Sequence, residues 1–288
     1  MTALVDLSRA LSAVVASVAP SLVAVGAGRS RASGFVWKPG LVVTADEALG
    51  EDGEVHATLP DGRVVAAQRV GRDPSTDIAL LRVPELTAPP VALVPADPVT
   101  GALALAVGAR NARPVAALGV VSLVDGPWRS LRGGRIDALI RLDLRLPGSS
   151  EGGLALDAEG RAFGMTVLGP RRRTLVIPAA TIERIAPLLE TRGRVARGYL
   201  GLGMQAVPLD GGGTGVMVMG VDPKGPGAAA GIRQGDIVTA WNGQPVDGVR
   251  GLIRALGPES VGTALTLTLR RGGAELQAAV TVAERAAS

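Results

Sequence analysis

Residues Ser33 to Val83 read SGFVWKPGLVVTADEALGEDGEVHATLPDGRVVAAQRVGRDPSTDIALLRV. Turn residues cut this stretch into the short apolar runs GFVW, GLVVT, EVHATL, RVVAAQRV and DIALLRV. Runs this short, rich in Val, Leu, Ile and Ala and bounded by Gly, Pro and Asp, are strands. The pattern extends in both directions, with SLVAV before the stretch and ALALAV, AALGVVSLV, DALIRLDL, GGLALD, AFGMTVLG and TLVIP after it, as far as Pro178. Many short strands joined by tight turns make a sandwich or a pair of barrels. The 40 glycines and 20 prolines, spread along all 288 residues, favour the same all-β reading.

Beyond Pro178 the periodicity changes. Ile182, Ile185, Leu188 and Leu189 share one side of a helix predicted over Ala179 to Thr191, with Thr181 as its cap, Pro187 as a kink and Gly193 as its end. The linker RGRVARG follows, so the chain splits near Arg192 to Arg197. From Tyr199 to Glu284, strand patterns (GVMVMGV, DIVTAWNG, ALTLTLRR, ELQAAVTVA) alternate with two short helical ones, GAAAGI and VRGLIRALG. This is an α+β unit of ordinary domain size.

Composition removes several functions. Thirty Lys and Arg against 26 Asp and Glu leave a net charge of +4, and the basic residues are scattered except at Arg171, Arg172 and Arg173. Aromatics are 2% of the chain. Nucleic-acid binding needs a concentrated basic face and stacking platforms, so it is not expected. Without cysteine there is no disulfide or thiolate metal site. No run reaches the ~18 consecutive apolar residues of a membrane span. At the N-terminus, Leu4, Val5, Leu7, Leu11, Val14, Val15 and Val18 keep helical spacing, and Asp6 precedes the first basic residue, Arg9. These features predict an amphipathic helix of the folded domain, stopped by Pro20, and a cytoplasmic protein; the alternative is a signal segment and a periplasmic or secreted one.

In order and spacing these residues resemble the HtrA/DegP-type serine proteases. There a Ser-Gly-Phe/Val strand leads into Leu-Val-Thr-Asn-x-His, a Leu-x-Asp-Gly-Arg hairpin, and Gly-Arg-Asp-Pro-x-Thr-Asp followed by a hydrophobic residue and Ala-Leu-Leu. The segment from Ser33 to Val83 matches without a gap. Gly119 to Ser122, Asp143, Glu151 to Gly153 and the join VIPAATIERI resemble the second barrel and its exit, and GYLGLGMQ (Gly198 to Gln205), Gly215 to Gly243 and Val249 to Leu256 resemble a PDZ domain. The resemblance implies a mainly β chain: a trypsin-like double β-barrel over 1–191, a linker over 192–197 and an α+β PDZ domain over 198–288.

A trypsin-type site needs a Ser nucleophile, a His base and an orienting Asp. The resemblance places Asp77 in the Asp slot and Glu47 in the His slot. The single histidine, His56, falls inside the strand EVHATL, nine residues past that slot. Two registers compete for the nucleophile: anchoring on Asp143 and GGLALDAEGRAFGM puts Glu151 there, whereas anchoring on Pro147-Gly148 puts Ser150 there. In both registers the histidine is missing, which implies a protein that does not cleave peptides. Two alternatives stay open. One is an active endopeptidase using Ser150 with a non-standard base. The other is a carboxylate cluster of Glu47, Asp77 and Glu151 that binds a hard cation or forms a glycosidase-like acid/base pair. Unused acids would instead face solvent or pair with arginines such as Arg145 or those at 171–173.

The PDZ resemblance implies strand addition of a peptide with capture of its terminal carboxylate. Tyr199, Leu200, Gly201 and Leu202 match the carboxylate loop, the strand from Gly203 to Ala206, with Met204, would pair with the peptide, and Leu252 and Leu256 are expected to form the opposite wall. The partners implied are polypeptide C-termini or unfolded polypeptide, with no nucleic acid, membrane, metal or other cofactor. Family members often form trimers through aromatics at the start of the protease domain, but this chain has none before Phe35 and only a short GAGRSRASG loop, so a homo-trimer is in doubt.

Overall fold

The computed structural model describes residues 2–50, 53–95 and 97–285. It resolves into two compact units. The first runs to Ser130 and resumes over Arg135–Val195; the second comprises Leu131–Gly134 and the chain from Ala196.

In the first unit, β1 (Leu22–Ala27), β2 (Ser30–Lys38), β3 (Leu41–Thr44), β4 (Val55–Thr58), β5 (Val64–Asp73) and β6 (Ile78–Arg82) close into a barrel in the order β1-β2-β3-β6-β5-β4. Strands β7 (Leu103–Arg110) and β8 (Arg113–Asp125) open a second barrel. After the short pair β9 (Trp128–Arg129) and β10 (Arg135–Ile136), it is completed by β11 (Leu139–Asp143), β12 (Leu154–Asp157), β13 (Ala162–Leu168) and β14 (Thr174–Pro178), in the order β11-β14-β13-β12-β7-β8.

The apolar runs explain which strands face the seam between the barrels. In β5, buried and exposed residues alternate over its first half, as in a strand with one wet face; β3 is buried at every position and β2 from Ala32 to Trp37. One face of these strands fills the first barrel with Val36, Val42 and Leu81. The other carries Phe35, Val43 and Leu80 into a cluster shared with Leu105, Val107 and Met165 of the second barrel. Helix α2 (Ala179–Arg192) closes this cluster with Ile182, Ile185 and Leu189, and Gly193 ends it in the left-handed conformation. Thr181 is not its cap: Pro178 precedes the first turn, and the Thr181 hydroxyl donates to Asp137 Oδ2 (2.8 Å) while accepting the Asp137 amide (2.9 Å).

Helix α1 (Ala3–Val18) forms as its spacing predicts, but only its second half meets the barrels. Leu11, Val14, Val15 and Val18 pack against the shared cluster, whereas Leu4 is 79% exposed and Val5 and Leu7 are also exposed. With the turn after it, the segment Ala3–Ser21 is long and apolar enough to cross a membrane, contrary to the count of consecutive apolar residues, because its few polar residues are small or isolated.

The second unit has a short pair, β15 (Gly198–Tyr199) with β22 (Ala283–Glu284). Its main antiparallel sheet contains β16 (Leu202–Pro208), β17 (Thr214–Val221), β18 (Ile237–Trp241), β20 (Ala264–Arg271) and β21 (Ala274–Thr281) in that order, with β19 (Gln244–Pro245) on β18. Helices α3 (Pro226–Ala229) and α4 (Val249–Ala255) flank it. Strand β16 is an outer strand, and its pairing with β17 carries a bulge at Gly203/Met204.

Asp46, 2% exposed, lies at the end of β3 and is held by a two-pronged bond from Arg72 of β5, Nε to Oδ1 at 2.7 Å and Nη2 to Oδ2 at 3.0 Å. Removing one partner of a buried pair strands the other charge. Arg72→Ala should therefore lower the stability of the first unit by about 2–4 kcal/mol, and Arg72→Ala with Asp46→Ala should recover part of that loss; denaturant titration of both variants checks it.

Candidate functional site

The three positions assigned to the triad come together. Asp77 ends the turn between β5 and β6, where Asp73 fixes the chain: its Oδ1 accepts the Ser75 amide (3.1 Å) and hydroxyl (2.6 Å), and its Oδ2 accepts the Thr76 hydroxyl (2.7 Å). This turn sets Asp77 at φ 58°, a left-handed conformation that Asp tolerates better than most residues. The Asp77 carboxylate accepts the backbone N–H of Glu47 at 2.7 Å. Asp77 thus binds the main chain at position 47, and the side chain there is an exposed carboxylate with no N–H to offer it.

Burial is the main cause that pushes the Asp77 carboxyl up to about 7, and the charges of Glu47, Glu151 and Asp46 add to it against the Glu47 amide, which stabilises the charged form. Glu151 is also raised, by burial first and then by Glu47, against the Leu168 amide and the charge of Arg172. Of the arginines weighed as partners, Arg172 is the one that acts on this group. The mutual influence places Glu151 with Asp77 and Glu47. Ser150, by contrast, has no exposed surface, and its Oγ has no hydrogen-bond partner among the described residues. Among the described residues no group of three or more His, Cys, Asp or Glu is placed to hold a metal ion.

The turn carrying Ser150 and Glu151 is held by its backbone. Ser33, itself fully buried on β2, accepts the Ala109 amide at Oγ (2.8 Å) and donates from Oγ to the Ser149 carbonyl (2.5 Å). Its amide donates to the Glu151 carbonyl (2.8 Å), and its carbonyl accepts the Thr44 hydroxyl (2.7 Å). At Gly152, φ is 83° and a Cβ would lie 2.3 Å from the Ser33 carbonyl oxygen, so only glycine fits. The sequence reading missed Ser33; a serine opening a strand carries no signal of its own.

His56 sits on β4, exposed and paired in register with Gly26 of β1 and Ala66 of β5. Its nearest charged neighbour is Glu54, Nε2 to Oε2 at 3.9 Å. It is a surface strand residue, as the gapless match implied.

In the second unit, a pocket of about 330 Å3 is lined by Tyr199, Leu200, Gly201, Leu202, Met204 and Leu256, all expected there. Gly201 has φ 72°, and its carbonyl accepts the Asp222 amide (2.8 Å), while the Tyr199 hydroxyl donates to Asp222 Oδ2 (2.9 Å) and steadies the loop. Leu252 is a correction. It is 1% exposed and belongs to the core with Val216, Val218 and Val238, while Val249 and Ile253, one helical turn apart, line the pocket instead. Strand β16 runs beside the pocket with one edge unpaired in the sheet order.

With this geometry the comparisons with known proteins agree. A trypsin-like peptidase domain model matches residues 32–165, and a PDZ domain model matches 198–282. The chain belongs to the HtrA/DegP-like family. It is 29% identical over 273 residues to a probable periplasmic serine endoprotease DegP-like of Brucella suis biovar 1 (strain 1330), covering 88% of this chain and 52% of that protein. A protein of the same description from Chlamydia trachomatis serovar D is 28% identical over 270 residues, covering 88% and 54%. The chain therefore spans about half the length of the curated relatives it matches. Among solved structures, the serine endoprotease from Yersinia pestis aligns at a TM-score of 0.72 with 25% identity, covering 96% of this chain and 98% of that one. The HtrA-type protease AlgW with decapeptide aligns at 0.71 with 20% identity, covering 98% and 99%, a likeness of fold. These relatives are named as periplasmic, and none of the comparisons supports the cytoplasmic expectation.

Asp77 generates a pH prediction. A carboxyl near 4 in the unfolded chain and near 7 when folded binds more protons in the folded state between those values, so stability falls as pH rises from about 4 to about 7. Asn tolerates the same backbone conformation and keeps the acceptor for the Glu47 amide. The stability of Asp77→Asn relative to the parent protein should rise by on the order of 2 kcal/mol between pH 5 and pH 8, read from denaturant midpoints at both pH values.

Proposed function

We propose that this HtrA/DegP-like chain holds polypeptides without cleaving them, the double barrel serving as an inactive scaffold and the PDZ domain as the part that captures C-termini. One observation carries the reading: the carboxylate that should orient an imidazole, Asp77, binds the main chain of Glu47 instead, and the single histidine lies on the surface of β4. Activating a hydroxyl at neutral pH requires a base that can take its proton and a nucleophile that can reach the scissile carbonyl. Glu47 is a weak base for a hydroxyl, and Asp77 keeps a large share of its own proton near neutrality. Ser150, the nucleophile of the competing reading, exposes no surface to a substrate. In this reading Glu151 occupies the nucleophile slot. Loss of the base and the nucleophile costs about four to six orders of magnitude in turnover.

Support for capture of C-termini comes from the positive-φ loop at Gly201, the apolar pocket beside it and the open edge of β16. Apolar C-terminal residues suit a pocket walled by Leu202, Met204, Val249 and Ile253. The periplasmic naming of the relatives, together with the exposed apolar start of α1, supports a place outside the cytoplasm.

Purified protein should leave casein intact over hours; digestion that Ser150→Ala abolishes would overturn the inactive reading. A labelled peptide ending in free Val or Leu should bind with micromolar affinity, Ile253→Glu should weaken it at least about tenfold, and amidation of the peptide terminus should do the same. Leu252→Ala should instead cost the second unit about 2–4 kcal/mol of stability, seen as a lowered thermal midpoint.

A further inference from the structure

Apart from the acid cluster, the first unit carries a groove of about 650 Å3 between the outer face of β1 and β4 and the tip of the β7–β8 hairpin. Its apolar lining includes Val25 and Val64, its basic groups are Arg31, Arg110 and His56, and Ser149 lies along it. Among the described residues no Asp or Glu lines it.

Among the described residues neither Arg31 nor Arg110 forms an ion pair. Arg31 is held in place by bonds from Nη1 to two carbonyl oxygens, of Gly28 at 3.1 Å and Ser30 at 2.9 Å, which position the guanidinium without neutralising it. Arg110, exposed at the end of β7, forms no ion pair among the described residues. Glu54, the one acid close to a lining residue, is 3.9 Å from His56, with its own side chain 92% exposed and outside the lining. Glu151, two residues beyond Ser149, turns its carboxylate to the Leu168 amide (3.2 Å).

We propose that this groove binds an acidic, extended stretch of polypeptide, with carboxylates on Arg31 and Arg110 and the intervening apolar side chains on the lining around Ala24 and Val64. The assignment rests on the reading that the barrels hold polypeptide. The mixture of isolated cations with apolar surface fits a chain that alternates acidic and apolar residues better than a compact inorganic anion, which gains nothing from the apolar part. Ser149, which lines the groove, is two residues from Glu151 in the chain.

The test uses the full chain and a fluorescein-labelled peptide of alternating Glu and Val with an amidated C-terminus, which removes the terminal carboxylate that a PDZ pocket captures. Anisotropy should show saturable binding that weakens at least about fivefold between 50 and 300 mM salt, as expected for exposed charge pairs. Replacing Glu by Gln in the peptide, or Arg110→Glu in the protein, should weaken binding at least about tenfold, while Arg110→Lys keeps most of it and the thermal midpoint stays unchanged. Equal binding of the Gln peptide, or full binding by Arg110→Glu, overturns the assignment. Displacement of the peptide by equimolar oleate would identify a fatty-acid site and also overturns it. If the amidated acidic peptide fails to bind while an apolar free-acid peptide still binds and casein stays whole, this inference falls and the function proposed above stands.

Discussion

Every functional position of the first unit depends on how the backbone of Ser33 meets the turn from Ser149 to Gly153. A fully buried hydroxyl, amide and carbonyl on one residue satisfy partners on β7, on the nucleophile turn and on β3. Buried polar groups have no water to fall back on, so this set holds together as a whole or fails as a whole. It fixes the distance between the two barrels at the point where their chemistry meets. The absence of a side chain at Gly152 serves the same end, because the two backbones could not approach so closely past a Cβ.

This geometry is built from main-chain atoms, which explains how the site can keep its shape while its side chains change. Position 47 is bound by Asp77 through its amide, and the turn before Gly152 is bound to β2 through main-chain atoms, whichever side chains these positions carry. Asp77, the most buried of the three acids, keeps its proton to higher pH chiefly because of that burial, and the charges of Glu47, Glu151 and Asp46 add to the effect. The framework of the site and any proton-transfer chemistry on it are therefore separable properties, because different atoms carry them.

Much of this was legible in the sequence. The barrels followed from short Val-rich runs, and the continuous runs GLVVT and DIALLRV marked the strands that are covered on both faces. Ungapped spacing aligned Glu47 and Asp77 with one register, whereas Ser150 and Glu151 stood in two competing ones. What was not legible depended on phase and on main-chain contacts. On α4, Val249, Leu252, Ile253 and Leu256 are all apolar, so periodicity gives a wide stripe without saying which edge of it faces the core; packing against Val216 and Val238 took Leu252. Thr181 looked like a cap because caps are usually Thr or Ser, but it serves Asp137 instead. The first turns of α1 keep helical spacing, yet nothing among the described residues covers Leu4.

An outer strand such as β16 offers its hydrogen-bonding groups to any extended chain, including other copies of itself, and a long flat edge of this kind invites fibre growth. The bulge at Gly203/Met204 and the proline at 208 shorten the stretch over which a regular ladder can form. A short ladder gives little purchase to a second sheet edge, so the same irregularities that make β16 a poor strand limit edge-to-edge pairing while its edge stays available.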